Sequence, residues 1–492
     1  MISHLTLNLI FILLILIGYL INHYKKKYEY WKSLGIPYVG ISGDLTFQPK
    51  TNRNVTIQEQ YMKLAPHPFG GIYDGAKPVL LIRDPELIRA ILIKDFSHFT
   101  DRGIVVNEEI DPLNAHLITL QGQRWRNIRI KLVPTFSSGK LRAMYPLMEQ
   151  CTKVLDGYLD AKLKSSPELE VGDLMMRFAA DVIGVCALGL DCQAIADEES
   201  EFRAFFVRQV LRSIHPKIIS WLRWKATDRK AEDFFMGVTR EAIKHREENQ
   251  DKRTDFMQLL INLQHEEQRT LQDEPLFTDH VVAAHVMIFF LAGFETVSSA
   301  VSSCLYELAL NPSVANKLHA EIERVLAAHG GKLDYDSLKE MQYMGTVLEE
   351  TVRKYPNTGF LKRICTKAYE IPNSSLLIKE GTNVLIPTYS LHHDPQYFPE
   401  PEKFDPDRFN EENRSNIVQG AYIPFGDGPR KCIAMRFAMM EARAALASIM
   451  RKYTVHPTSK TQIPLVFADG KSGIPRPEKG IHLRFKARGG QF

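Results

Sequence analysis

The chain opens with a long, uninterrupted apolar run. Residues 5–21 are almost entirely hydrophobic, and no Asp, Glu, Lys or Arg precedes Lys25. At about 1.5 Å per residue in a helix, the run covers roughly 26 Å, which is enough with its uncharged flanks to cross a bilayer. Residues 1–24 are therefore interpreted as a membrane anchor.

The residues after this run predict how the anchor is oriented. Three lysines follow at 25–27, whereas a cleaved signal peptide would carry its positive charges in front of the apolar run. Four aromatic residues suit a belt at the membrane surface: Tyr24, Tyr28, Tyr30 and Trp31. Residues 25–40 then predict a basic connector stiffened by Pro37. Residues 41–492 are expected to form one domain on the cytosolic side.

A second apolar run lies past the middle of the chain, at residues 281–293, within a helix predicted at residues 279–310. It reaches Glu295 before it is long enough for a membrane span. A helix that is apolar on all sides is typical of a protein core. The run therefore predicts a central buried helix, capped by Thr278 or Asp279 and stopped before Pro312.

The rest of the pattern predicts many helices and short strands. Amphipathic periodicity predicts helices at residues 84–92 and 123–131, and a succession of helices from 144 to 264. Within that succession, residues 202–224 are unusually apolar for a surface segment. Residues rich in β-formers between turn residues predict strands at 69–73, 78–83, 361–369, 383–389, 463–468 and 481–485, the last two as a closing hairpin. The predicted fold class is mainly α with small β-sheets.

Composition mainly excludes classes of function. The chain is 45% hydrophobic and 24% charged, as is ordinary for a globular protein. A net charge of +4 over 492 residues is too weak to indicate nucleic-acid binding. The six cysteines are scattered without zinc-ligand spacing, which favours a reducing compartment.

The first candidate chemistry is a cysteine in a loop rich in turn residues. Gly426, Gly428 and Pro429 forbid a regular helix or strand, and the apolar run after Cys432 predicts a helix. A helix N-terminus and the neighbouring Arg430 and Lys431 favour the thiolate form of a cysteine. A thiolate in such a place acts as a nucleophile, a redox sensor or a metal ligand.

The spacing of four residues narrows this choice. Phe425, Gly428, Arg430 and Cys432 resemble the haem-binding loop of the cytochrome P450 superfamily. In that family the cysteine is the axial ligand of the haem iron. The chain departs from the usual pattern at Ala434, where the family has a glycine.

The resemblance implies further haem contacts. Trp125 and Arg129 lie at i, i+4 and match a Trp-x-x-x-Arg pair that holds a haem propionate. Arg363 matches the position that binds the second propionate, and Arg430 is expected to contribute too. Outside this resemblance, a packed tryptophan beside a solvated arginine is the commoner origin of such a pair.

The central helix carries a sequence that resembles the family's oxygen-activating motif, Ala292 to Thr296. Gly293 is expected to leave room for a ligand against the helix backbone. Thr296 and Glu295 are the expected catalytic pair, an alcohol and an acid that deliver protons inside a dry pocket. A helix kink with a back-bonded threonine is the structural alternative.

Three other residues resemble a structural ion-pair network of the family. Glu350 and Arg353 match Glu-x-x-Arg, and Arg408 lies in a Pro-x-Arg-Phe loop that supplies the third partner. The i, i+3 spacing alone carries no signal, because solvated pairs like it are common. The network is expected to support folding and haem retention.

As a whole, the resemblance is to insect detoxification members of the superfamily, which carry a similar Phe-x-x-Phe-x-Asp-Arg-Gly stretch at residues 96–103. It implies a monooxygenase of the endoplasmic reticulum with haem b, a lipophilic substrate such as a plant toxin or insecticide, and electrons from NADPH through a separate reductase. Cytochrome b5 is a second candidate donor. A basic patch for that donor is expected from Arg124, Arg126, Lys131 and Lys431.

Three alternatives share the same motifs. A haem-thiolate isomerase or dehydratase would rearrange peroxides without external electrons. A monooxygenase could instead act on an endogenous hormone or fatty acid. A non-enzymatic haem protein would bind ligands without turnover.

Overall fold

The computed structural model describes residues 4–46, 52–104, 106–196, 227, 229–250, 253–269, 275–468 and 476–489. The apolar segment predicted at residues 202–224 lies outside the described residues.

Helices account for most of the described chain. Those up to residue 269 are α1 (His4–Tyr28), α2 (Tyr30–Ser33), α3 (Arg53–Lys63), α4 (Pro85–Arg89), α5 (Gly122–Leu132), α6 (Ser138–Ser165), α7 (Val171–Ile183), α8 (Arg229–Asn249) and α9 (Phe256–Arg269). Those that follow are α10 (Asp279–Leu310), α11 (Pro312–Ala328), α12 (Tyr335–Glu340), α13 (Gln342–Lys354), α14 (Thr388–His392) and α15 (Met435–Lys452). The mainly helical fold is confirmed.

The strands are short and form small sheets. They are β1 (Phe69–Asp74), β2 (Lys77–Ile82), β3 (Glu168–Glu170), β4 (Leu361–Ile364), β5 (Tyr369–Glu370), β6 (Leu377–Ile378), β7 (Asn383–Ile386), β8 (Tyr453–Pro457) and β9 (His482–Ala487). One sheet has the order β1-β2-β7-β4, with β2 and β7 parallel and its other pairs antiparallel. A second has the order β3-β9-β8, and β5 pairs with β6.

Helix α10 lies in the middle of the main hydrophobic core. It packs along α7 and also contacts α8, α13 and α15. Its N-cap is Thr278, whose side chain accepts the Val281 N–H, and it ends at Leu310 before Pro312. The helix is long and apolar enough for a membrane span, but 61% of its most apolar window is buried in the protein. The predicted central helix is therefore confirmed.

Helix α1 has the opposite environment. From Asn8 to Tyr28 it is also long and apolar enough to cross a membrane, and none of its most apolar window is buried. The helix is thus compatible with the predicted anchor.

Trp31 has a different place from the one predicted. It is 1% exposed, and its indole N–H donates to the Ile72 carbonyl at 3.0 Å. A Cβ on Gly71 would overlap the Trp31 ring, so the glycine is what lets the indole lie flat against β1. Trp31 fastens the connector to the sheet instead of standing in an interfacial belt.

The predicted closing hairpin is wrong in its first strand. β9 pairs with β8, so that Val455 lies opposite Phe485. Residues 463–468 contribute a single bridge, between Phe467 and Pro477. Strand β8, which continues directly from α15, therefore occupies the position next to β9 that the hydrophobic pattern predicted for residues 463–468.

Candidate active site

The loop before α15 carries Cys432, and two glycines set its path. Gly426 and Gly428 have φ angles of +68° and +66°, in the left-handed region that favours glycine. The Lys431 N–H donates to the Gly428 carbonyl at 3.0 Å, and the Cys432 N–H donates to the Phe425 carbonyl at 2.9 Å. These bonds close the loop immediately before α15 begins.

Ala434 causes no backbone strain in this loop. Its φ and ψ angles are −93° and 14°, which any L-residue adopts. Its carbonyl accepts the Ala438 N–H at 2.9 Å, so it acts as the N-cap of α15. The departure from the family's glycine is tolerated locally.

Gly428→Ala should destabilise the protein by about 2–3 kcal/mol, because it combines a left-handed backbone with overpacking. A Cβ there would overlap the Leu92 carbonyl oxygen, a backbone atom that cannot move alone. Gly426→Ala is the matched control, since its Cβ would meet only Leu361 at 3.8 Å. Strain alone should then cost about 1 kcal/mol. Thermal unfolding and haem retention of the two variants test this, and equal losses would contradict it.

Cys432 is at once exposed and surrounded by protein. Its side chain is accessible to solvent, yet the surrounding protein shields it strongly enough that burial raises the pKa of its thiol. The Ala434 N–H and the charges of Arg129, Arg102 and Lys431 act in the opposite direction. The nearby positive charges thus lower the pKa of the thiol, as predicted, but burial raises it by more. The free thiol is favoured until a metal ion displaces its proton.

Four arginines lie together near Cys432, two of them buried (Arg363 and Arg430) and two half-buried (Arg102 and Arg129). Arg102 repels each of the others. Burial, and after it repulsion from Arg102, lowers the pKa of both Arg363 and Arg430 to about 9. So much positive charge in one place favours a bound anion.

The donors of this group fit haem. The Nε atom of Arg363 is buried and has no hydrogen-bond partner among the described residues. The Asp101 carboxylate offsets part of the charge, at 3.3 Å from Arg430. Haem brings two further carboxylates and an iron that suits the Cys432 sulfur. The side chains present therefore match the group that the resemblance implies.

Trp125 and Arg129 reach this region from α5. Trp125 is 3% exposed and lies beside the Phe96 ring, with 5.8 Å between centroids. Arg129 donates through Nη2 to the Lys431 carbonyl at 2.6 Å. The i, i+4 spacing places both on the side of α5 that faces the Cys432 loop.

Arg430 is held mainly by the protein itself. Its Nε donates to the Thr100 carbonyl at 2.8 Å and its Nη2 to the Leu120 carbonyl at 2.9 Å. The guanidinium also stacks on Trp125, at 3.9 Å from the ring centroid. Arg430 thus fastens the loop before α5 to the Cys432 loop, and its predicted propionate contact stays a prediction.

Arg102 is the residue that the sequence reasoning missed. In the sequence it appears only as part of residues 96–103, and that stretch alone does not indicate what Arg102 does. The structure shows an isolated bridge in which the Ile364 N–H donates to the Asp101 carbonyl at 2.8 Å. This pairing brings Arg102 next to Arg363, and no spacing in the sequence predicts it.

Gly293 on α10 has a packing role, while its predicted role of leaving room for a ligand stays a prediction. A Cβ there would overlap the end of the Ile183 side chain and lie 2.8 Å from its Cγ1. The glycine therefore lets α7 and α10 approach each other. Ala292, one residue earlier, is exposed, although most residues of this helix are buried.

Glu295 and Thr296 are bonded to different partners. The Thr296 hydroxyl donates to the Ala292 carbonyl at 2.6 Å, as in the structural alternative of a back-bonded threonine. The Glu295 carboxylate pairs with Arg476 at 2.5 Å. The Thr296 carbonyl accepts the side-chain N–H of Asn357 at 2.9 Å. Their action as an acid–alcohol pair stays a prediction.

The structure brings the three network residues together. Glu350 and Arg353 are fully buried and form two bonds of 2.7 and 2.9 Å. Arg408 lies 3.5 Å from Glu350. Arg353 also donates to the backbone carbonyls of His392 and Pro401. The ion pair thus connects α13 with the long irregular segment before the Cys432 loop.

The predicted basic patch is narrower than the sequence suggests. Arg124 forms an ion pair with Glu108, and Lys131 pairs with Glu267 at 2.6 Å. Arg126 is exposed and Lys431 is half-buried. These two residues remain as the positive charge on this face.

Two buried histidines should make stability depend on pH. Burial lowers the pKa of His285 to about 4 and that of His116 to about 3, and the two side chains also repel each other when charged. An unfolded histidine has a pKa near 6.5. Between about pH 4 and pH 6.5 the unfolded chain binds more protons, so the free energy of unfolding rises with pH in this window.

His285→Gln should remove about 2 kcal/mol of this pH dependence. His245→Gln is the matched control, because His245 is exposed on α8. Denaturant unfolding of the full chain in detergent, at pH 4.5 and pH 7, measures the difference. A control variant that flattens the profile as strongly would contradict the assignment.

Comparison with known proteins identifies the family. The family model described as cytochrome P450 matches residues 35–485. Cytochrome P450 6a8 of Drosophila melanogaster is 37% identical over 490 residues, covering 95% of this chain and 97% of that protein. Cytochrome P450 6a9 of the same organism is 35% identical over 495 residues, covering 97% of this chain and 98% of that protein. The chain therefore belongs to the cytochrome P450 family and is a cytochrome P450 monooxygenase.

Proposed function

We propose that this monooxygenase oxidises lipophilic foreign compounds, such as plant toxins or insecticides, at the membrane of the endoplasmic reticulum. Residues 1–24 anchor it in the membrane, and residues 25–40 connect this anchor to the catalytic domain. The single domain of residues 41–492 faces the cytosol. The proposal rests above all on one observation, the group of buried and half-buried arginines near the accessible Cys432. Lipophilic compounds partition into the bilayer, so the anchor keeps the site close to its substrates.

The residues of the site divide the task of holding haem b. Cys432 binds the iron, while Arg129, Arg363 and Arg102 bind the two carboxylates, assisted by Trp125. Arg430 holds the two loops in place around them. When bound, haem supplies dioxygen activation and the transfer of one oxygen atom to the substrate.

Thr296 and Glu295 handle protons at this turn of α10. Their neighbours Phe294 and Val297 are buried, whereas the Glu295 side chain is partly accessible to solvent. Proton transfer then depends on a few fixed polar groups. Thr296 moves its hydroxyl proton away from the Ala292 carbonyl when it acts, and Glu295 supplies the acid.

A separate reductase delivers the electrons from NADPH, and cytochrome b5 is a second donor. Arg126 and Lys431 form the positive end of the docking face near the Cys432 loop. Exposed apolar side chains of Ile130 and Val133 lie on the same stretch as Arg126. An acidic donor would be steered by the charges and held by the apolar contact.

The first experiment is the optical spectrum of the reduced, carbon monoxide-treated protein in membranes. We expect a strongly red-shifted Soret band, because the thiolate changes the electronic state of the iron. Vesicles that contain the protein and NADPH-cytochrome P450 reductase should then oxidise lipophilic toxins in an NADPH-dependent way. A folded, haem-loaded protein without the red-shifted band would overturn the assignment of Cys432. Peroxide rearrangement without the reductase would favour the isomerase instead.

A further inference from the structure

Glu295 is tied to a residue from the far end of the chain. Arg476 donates to its Oε1 atom through Nε at 2.7 Å, and Nη2 lies 2.5 Å from the same oxygen. Both bonds end on Oε1, so Arg476 leaves the second carboxylate oxygen, Oε2, unbound. A charge-assisted pair with two donors fixes the direction of a carboxylate as well as its charge.

The backbone of Arg476 is itself held in place. Its carbonyl accepts the Ala468 N–H at 2.8 Å. The Ala468 carbonyl in turn accepts the side-chain N–H of Asn52 at 3.1 Å, and Asn52 caps α3. The backbone from which the guanidinium extends is therefore fixed by two separate parts of the fold, at Ala468 and at Asn52.

The Glu295–Arg476 ion pair lies at a solvent-accessible edge of α10. The Arg476 side chain is 40% exposed and that of Glu295 is 16% exposed. Phe294 and Val297 on either side of the Glu295–Thr296 step are at most 4% exposed. Glu295 is thus the partly accessible acid of this turn, next to Thr296.

We propose that Arg476 is a positioning residue for proton delivery. It holds Glu295 by Oε1 at the edge of the site, so that Oε2 takes a proton from water and passes it towards Thr296. The carboxylate returns to the same anion after each transfer, and Arg476 stays protonated throughout. The inference rests on the proposed role of Glu295 in the monooxygenase.

A purely structural pair makes a different prediction. Ion pairs this exposed typically contribute about 0–1 kcal/mol to stability, so their loss alone would leave catalysis unchanged. Arg484 provides a matched control, because it pairs with Glu168 at 2.5 Å with a side chain that is 48% exposed. Arg484→Gln breaks a similar pair in the β3-β9-β8 sheet.

The kinetic test uses the full chain, loaded with haem, in vesicles with the reductase. Arg476→Gln should lower the product formed per NADPH at least threefold and raise the solvent isotope effect on product formation, with KM changed less than twofold. Arg476→Lys, which keeps the charge, should restore at least half of the product yield. Arg484→Gln should behave as the unmodified chain.

A second readout does not depend on activity. The amides of Ala468 and Glu478 donate to carbonyls across the Phe467–Pro477 bridge, so their hydrogen exchange reports whether Arg476 is held. Arg476→Gln and Glu295→Gln should each speed this exchange, and the double variant should add little. Additive effects would mean that the two side chains are not paired in solution and would overturn the proposal.

The two proposals fail in different ways. Failure of the proposed function appears as a missing red-shifted Soret band in the unmodified chain. Failure of the present inference appears as normal product yield and isotope effect in Arg476→Gln, with the band intact and the amide exchange accelerated.

Discussion

Replacing Arg353 with methionine should destabilise the folded protein by about 3–5 kcal/mol, since it leaves a buried carboxylate without its partner. Glu350 and Arg353 are 0% exposed, and Arg353 donates to both carboxylate oxygens and to the backbone carbonyls of His392 and Pro401. Burial already raises the pKa of Glu350, and Arg353 is the strongest influence that opposes it. Without Arg353 the carboxyl group must bind a proton or remain as a buried charge supported only by Arg408 and the Asp405 N–H.

The loss of stability in Arg353→Met should depend on pH. A carboxyl group whose pKa is raised in the folded state stabilises the fold only while it is protonated. The stability of the Arg353→Met variant should therefore fall further as pH rises above the unfolded glutamate pKa of about 4.3. The double variant Glu350→Gln and Arg353→Met, which carries no charge to bury, should recover part of the loss at neutral pH.

Arg414→Met is the matched control, because it breaks an ion pair to a glutamate of the same helix. Arg414 pairs with Glu349, the neighbour of Glu350, but its side chain is 55% exposed. Its loss should cost less than about 1 kcal/mol. Denaturant unfolding of the haem-loaded proteins in detergent, together with the yield of folded protein, compares the three variants. If Arg353→Met and Arg414→Met were equally stable, the burial argument would be wrong.

Local signals explain what the sequence could predict. Helix α10 was predicted with its observed limits because a cap at Thr278 and a stop before Pro312 lie within the segment itself. The Cys432 loop was predicted because its glycines dictate their own backbone angles. The pair of Glu350 and Arg353 was found because one turn of helix places them together.

The misses are contacts between distant parts of the chain. The close approach of α7 to α10 at Gly293, where a Cβ would overlap Ile183, was not predicted from the sequence. The strand that pairs with β9 was predicted from the hydrophobic pattern alone. That pattern does not indicate which segment lies next to β9 in the folded protein. Trp31, which looks like an interfacial residue, is buried because Gly71 opens a place for its ring.

The same limit applies to the charges of the site. The sequence suggested that Arg430 and Lys431 make Cys432 an anion, since residues near in sequence are easily counted. Burial of the thiol and the approach of Arg102 and Arg129 are decided by the fold. Arg476 lies 181 positions from Glu295, so their pairing could be recognised only in three dimensions.

Cys432→Ser should abolish the red-shifted Soret band of the reduced, carbon monoxide-treated protein. Serine keeps the size of the side chain and the N–H bond to Phe425, but its oxygen does not provide a thiolate. Haem should still bind in part, because the arginine group that receives its carboxylates is unchanged. The fall in NADPH-dependent product formation should exceed the roughly 10–100-fold typical of losing an outer partner of a metal ligand.

Cys192→Ser separates loss of the ligand from loss of any thiol. Cys192 lies after α7, and its sulfur is 3.9 Å from the Leu190 carbonyl, which a serine hydroxyl can also approach. This control should keep both the band and the activity. Haem content, measured on the same samples, shows whether Cys432→Ser has lost the ligand or the whole group. A red-shifted band that survives in Cys432→Ser would mean that another sulfur binds the iron. In that case the buried arginines would have to serve a different anion, and the site would need to be rebuilt around it.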